Sequence, residues 1–121
     1  MENCSKLISY LLHSINQTHI FHLQTTSYAE HKALCKYYED VSDLVDGLVE
    51  SYQGKYGIIR GYSAFGYNDY TDKNQTITYL DGICKTIETL RVNIPDSYLQ
   101  NQIDTIIELI QSTLYKLKNL N

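Results

Sequence analysis

Tryptophan is absent from this sequence, proline and methionine occur once each, and only three cysteines are present. Cys4, Cys35 and Cys84 form no Cys-x-x-Cys pair, and their odd number excludes a fully paired disulfide framework and suits a reducing compartment. No basic run occurs and the formal net charge is −4, which argues against general nucleic-acid binding. Long hydrophobic runs are missing too. The opening stretch MENCSKLISYLLHS carries an early Glu, and Ser, Tyr and His interrupt its apolar residues. It reads neither as a signal peptide nor as a membrane-spanning helix. Gly-x-Gly phosphate loops, Ser-His-Asp constellations, internal repeats and low-complexity tracts are likewise absent. The expectation is a cytoplasmic protein without a membrane partner.

What is present fits one small domain over residues 1–121, long enough to build a core without a metal or disulfide staple. Hydrophobic residues make up 43% and charged residues 20%, a balance that argues against disorder. Two Asn-x-Thr triplets, at Asn16 and Asn74, are acceptor sequons only in secreted chains. The abundance of Asn, Ile, Lys and Tyr fits an AT-rich genome. That is a statement about codons and not about chemistry.

Four segments carry helical periodicity. From about Asn3 to Gln24, Ile8, Leu11, Leu12, Ile15, His19 and His22 follow three-and-four spacing, so both histidines are expected to face inward, with His13 solvated. Thr25, Thr26 and Ser27 form a short break, and Ser27 with Glu30 predicts a capping box. The second segment, about Tyr28 to Gln53, is expected to stop at Gly54. Leu34, Tyr38, Val41, Val45, Leu48 and Tyr52 form its apolar stripe. His31, Cys35, Ser42, Asp46 and Glu50 form a second stripe beside it, on the flank of the buried face. Residues 73–91 form the third segment. The fourth, about Asp96 to Leu120, offers Ser97 and Gln100 as a further capping box.

Between the second and third segments, Gly54–Asp72 holds four glycines and five aromatics with no sustained helical period. Extended, it reaches about 60 Å at roughly 3.3 Å per residue, more than the length of any of these helices. The order of connections is short, long, short. That predicts an all-α four-helix bundle with ferritin-like connectivity and a long crossover between helices 2 and 3.

The stretch His19 to Glu50 concentrates the candidate chemistry. A di-iron centre inside one bundle needs Glu-x-x-His motifs. None occurs, and no histidine follows His31. His31 lies on one helix with Asp46 and Glu50, about 22 Å and 28 Å away at 1.5 Å per residue, so one chain cannot close a site with all three. A second copy, antiparallel across a two-fold axis, can bring His31 of one chain to Asp46 and Glu50 of the other. A histidine of the first segment, His19 or His22, completes each site. Such mixed imidazole and carboxylate donors suit iron, manganese or zinc.

With His31 twelve positions after His19, then Asp46 and Glu50 one turn apart and Gly54 closing the helix, the pattern resembles the ferroxidase motif of the Dps proteins, the dodecameric mini-ferritins of bacteria. A second register aligns His22-Leu23-Gln24-Thr25 with that family's His-Trp-Asn-Val. The resemblance covers roughly the first half of the chain. It implies Fe(II) bound, oxidised and stored at two-fold interfaces of a homo-oligomer, from a dimer up to a dodecamer. The departures are Cys35 in place of the family's intermediate Asp, Ile20 in place of its Trp, and no Lys-rich DNA-binding tail. The chain is also similar to small ferritin-like proteins encoded by large tailed phages, for which the compartment would be the host cytoplasm. The alternative is a non-catalytic helical oligomerisation or protein-interaction module with a degenerate metal site. On that reading the histidines are satisfied core groups, and Asp46 and Glu50 an ordinary charged flank. Most of the twelve tyrosines are read as packing groups, with those of the crossover covering the bundle or a subunit contact.

Overall fold

Apolar residues recurring every three or four positions give each of four segments one side to bury. The computed structural model, which describes residues 1–121, has four helices and no strand: α1 (Glu2–Gln24), α2 (Tyr28–Tyr56), α3 (Lys73–Arg91) and α4 (Ser97–Asn119). Leu7, Ile8 and Leu11 of α1 meet Leu34, Val41 and Leu48 of α2, Leu80 and Ile87 of α3, and Leu99, Ile103, Ile106 and Ile110 of α4 in one buried core. Each helix packs on two others. α1 and α4 both lie against α2 and α3 and stand diagonally across the bundle from each other.

Contacts at the helix ends give the directions. Lys55 and Tyr56, at the end of α2, both donate to Asp96 just before α4. Arg91, at the end of α3, forks onto Asp104 of α4 at 2.7 and 2.9 Å. The helices therefore run up, down, down and up. Residues 57–72 must return the chain along the whole bundle, and they do so over α1. The Ser63 amide donates to Ser9 Oγ at 2.9 Å. Gln17 exchanges two 2.9 Å bonds with the backbone of Asn68, and the Tyr70 amide donates to Gln24 Oε1 at 2.6 Å. This is the expected four-helix bundle with ferritin-like connectivity. The crossover is irregular throughout and contains no helical turn.

The local end signals hold in part. α2 does not stop at Gly54. It continues to Tyr56 and closes at Gly57, whose φ of 91° is a left-handed conformation that glycine adopts without strain. The bonds of Lys55 and Tyr56 to Asp96 hold this extra turn. Ser27 Oγ accepts the Glu30 amide at 3.2 Å, but the Glu30 carboxylate does not return to complete the box. It accepts from Thr25 Oγ1 at 2.8 Å and from the Tyr70 hydroxyl at 2.7 Å, tying the end of the crossover to the start of α2. The Ser97–Gln100 box does not form, because Gln100 donates to the Ile94 carbonyl instead. Asp72 caps α3 by accepting the Gln75 amide at 2.8 Å.

Candidate functional site

The short turn between α1 and α2 presses the last turn of one helix against the first turn of the other. His22 and His31 meet there, with ring centroids 3.6 Å apart and planes 19° from parallel. His22 Nδ1 donates to the His31 carbonyl at 2.7 Å, and His31 Nδ1 donates to the His22 carbonyl at 2.9 Å. A carbonyl can only accept, so each ring carries a proton on Nδ1. In the neutral ring this leaves the Nε2 lone pair available. His22 is buried at 8% exposure and His31 is half-buried.

His19 joins this pair from outside. Its centroid is 5.8 Å from that of His22, and it stacks on Tyr38 at 4.3 Å. Tyr38 also meets His22 edge-on at 5.4 Å, and Tyr28 lies over His31 at 6.3 Å. Burial, followed by the hydrogen bond and charge of Cys35, pushes the Tyr38 hydroxyl up to about 12, so it remains a phenol at neutral pH. Tyr38 belongs to the cluster as a ring partner, although its spacing placed it in the apolar stripe. The available signal was its position seven residues after His31, two helical turns along the same face.

His19 does not face the core as expected; it is exposed. α1 instead turns Ser14 and Thr18 into the bundle, with Ser14 Oγ 2.7 Å from the Tyr37 hydroxyl of α2, while the crossover covers Gln17, so the inward arc of the helix lies away from Ile15 and His19. The same covering corrects the expectation for His13, which is half-buried and not solvated. Its Nε2 donates to the Gly66 carbonyl at 2.8 Å, and its Nδ1 lies 2.6 Å from the Tyr79 hydroxyl. The ring stacks on Tyr67 at 4.9 Å and stands edge-on to Phe65 at 5.7 Å. His13 is thus a clasp holding the crossover between α1 and α3.

Asp46 and Glu50 are exposed on α2, well down the helix from His31. They sit on a groove lined by Leu12, Val45, Val49 and Tyr62. They face solvent more fully than the expected flank of a buried face, because Val45 and Leu48 take the inward positions of that turn. The fold therefore gathers His19, His22 and His31 and leaves Asp46 and Glu50 apart. No group of three or more His, Cys, Asp or Glu side chains within the chain is arranged to hold a metal ion. Cys35 is half-buried and donates to Glu39 at 3.4 Å. Burial pushes the Cys4 and Cys84 thiols up to about 11, so neither is a thiolate at neutral pH. No helix is long and apolar enough to cross a membrane.

Fold and site together define an all-α four-helix bundle with one long crossover and an imidazole cluster at its first turn. The chain belongs to DUF5856, a family of unknown function, whose model matches residues 22–117. That range takes in His22, His31, Asp46 and Glu50 together with α2, the crossover, α3 and most of α4. No curated protein and no solved structure matches the chain.

Proposed function

We propose that this bundle binds iron between two copies of itself, on a plan similar to that of the Dps mini-ferritins. The observation that carries the reading is the disposition of His22 and His31. Metal-binding histidines commonly donate one ring N–H to a carbonyl or carboxylate, which fixes the ring and presents the other nitrogen. Both rings are held in this way by each other's backbone, with His19 beside them. One chain offers nitrogen donors alone, so it fits the metal only in part. Asp46 and Glu50 of a second copy supply the oxygens. Ferrous iron is then cargo: imidazole and carboxylate donors hold it, and the ion brings its own redox chemistry. Oxidation and storage as ferric mineral require a closed cage of many copies.

Anaerobic Fe(II) titration tests this. The unaltered chain should bind stoichiometrically, and His31→Ala and the double variant Asp46→Ala/Glu50→Ala should each lose binding with helicity intact. Mixing the two variants should restore one of the two sites in every mixed pair, because such a pair joins the intact histidines of one chain to the intact carboxylates of the other. Unchanged binding by His31→Ala sinks the assignment.

A second reading is a non-catalytic bundle that assembles with other protein, its metal site degenerate. The absence of any three-ligand group within the chain favours it. Metal content after purification from iron-supplemented medium separates the two readings.

A further inference from the structure

The outer side of α2 carries a charge pattern that its own chain does not answer. Counted in steps of three and four, one exposed stripe runs opposite the buried one, from Tyr28 to Gly54. Its first half is basic, with Lys32 and Lys36. Its second half is acidic, with Asp43, Asp46 and Glu50. One ion pair interrupts it, Lys36 to Asp40 at 2.7 Å, between side chains 61% and 42% exposed, and such a pair exchanges partners readily. Beside Lys32 and Lys36 opens a cavity of about 470 Å³ with Ala29, Ala33 and Leu120 in its walls and Lys116 on its α4 side.

Turned end for end about Val41, this helix complements itself. Lys32 falls opposite Glu50 and Lys36 opposite Asp46. The same reversal sets Tyr28, 74% exposed, against Gly54, and Cys35 against Gly47. The two glycines have no role inside the chain. Neither has a positive φ, a Cβ on Gly54 would meet nothing within 4 Å, and one on Gly47 would meet only the amide end of Gln102 at 3.9 Å. Glycine is the poorest helix former after proline, so two of them on one exposed helical face call for a reason outside the chain. Close approach of a second helix supplies it. Near the axis of this pairing, Glu39 faces Asp43, and their like charge opposes association.

We infer that two copies associate through their α2 outer faces, antiparallel about a two-fold axis near Val41, with the basic half of each helix on the acidic half of the other. This deepens the two-copy reading above and rests on it for the choice of occupant. It is tested without metal, so the two can fail separately.

The experiment is sedimentation equilibrium of the full chain in chelator-containing buffer across a range of salt. The expected result is a dimer that weakens as salt rises, because exposed pairs are screened. Lys36→Glu should weaken it about tenfold, since the two-fold sets two repulsive contacts in place of two attractive ones. Lys36→Glu/Asp46→Lys should restore it. Asp43→Lys should tighten it by placing a lysine against Glu39. Gly54→Leu, which the open space around Gly54 admits in the monomer, should block it. All four altered positions are exposed, and circular dichroism checks that each variant stays folded. A monomer at all concentrations, or a dimer indifferent to these reversals, overturns the inference. A salt-sensitive dimer that binds no Fe(II) upholds the surface and retires the metal reading alone.

Discussion

Two histidine sites share α1, and they differ in what their nitrogens do. His13 uses both: one donates to Gly66 and the other meets the Tyr79 hydroxyl. His22 and its partner His31 use one nitrogen each and keep the other free. A histidine satisfied at both nitrogens is a structural tie, because any new ligand must displace a bond already made. A histidine fixed at Nδ1 with Nε2 open is positioned and unspent. Residue type and spacing do not separate the two cases, since both sites lie on one amphipathic helix. What separates them is which neighbour lies overhead: crossover and α3 for His13, the first turn of α2 for His22.

The largest expected effect comes from breaking the structural side of this comparison. His13→Ala removes a tie between three elements and leaves the Tyr79 hydroxyl and Gly66 carbonyl without their partner. The expected loss is about 2–3 kcal/mol, or roughly 10 °C in Tm, read by thermal denaturation. Limited proteolysis should then cut first within residues 57–72. A Tm within about 2 °C of the parent would show that the remaining crossover bonds hold without it.

Glu30→Ala should follow closely. Glu30 is 2% exposed and accepts from both Thr25 and Tyr70, and it places a negative charge at the start of α2. Its removal leaves two donors unpaired and takes the favourable charge from the helix dipole, costing about 2 kcal/mol. Glu30→Gln should recover most of this, since its amide oxygen still accepts both bonds. Equal losses in the two variants would contradict the acceptor role.

On the other side of the comparison, His22→Ala should cost only about 1 kcal/mol, because it removes one ring and one bond at the edge of the bundle. Divalent-metal binding, read by calorimetry, should fall far more than stability does. His13→Ala should do the reverse. A variant pair that moved both properties together would erase the distinction between tie and ligand.

The smallest effect concerns the far end of α2. The hydrogen bond from Lys55, then that from Tyr56, holds the Asp96 carboxyl below its ordinary value of 3.8. A depressed carboxylate contributes stability that is fully present above 3.8 and is lost as the pH falls through its lower folded value. Lys55 is raised from 10.5, chiefly by the same bond, so its share is present below 10.5 and is lost as the pH rises through the raised value. Across neutral pH the contact is intact. Asp96→Asn should flatten the acid limb of the stability curve between about pH 5 and pH 2, with little change in the proteolysis of residues 57–72.

Much of the fold was legible because helical periodicity is a local signal. The third helix begins and ends where its Ile and Leu spacing placed it, and the long segment between helices 2 and 3 required a crossover whatever its path. The end of α2 was misread. Gly54 looks like a stop, but the bonds of Lys55 and Tyr56 to Asp96, forty residues on, carry the helix past it. Glu30 was misread for a similar reason. Its sequence neighbour Ser27 offered a capping partner, whereas Tyr70, distant in the chain, was the stronger claimant on its carboxylate. At the candidate site, the closeness of His22 to His31 follows from a three-residue turn and was open to sequence reading. The outward turn of His19 was not, because the inward arc of α1 runs through the polar Ser14 and Thr18, which an apolar stripe does not mark.

By itself the sequence determined the number of helices, their apolar stripes, the order of short and long connections and the charge reversal along α2. These are properties of residues a few positions apart, set by backbone geometry and the hydrophobic effect. Tertiary structure alone decided which polar groups of α1 are buried, and which histidine is a tie and which is free at Nε2. The tie at His13 and the burial of Gln17 depend on the path of residues 57–72 across the bundle. That path is held by side-chain bonds between residues about fifty positions apart, such as Ser9 with Ser63 and Gln17 with Asn68, which no local pattern encodes.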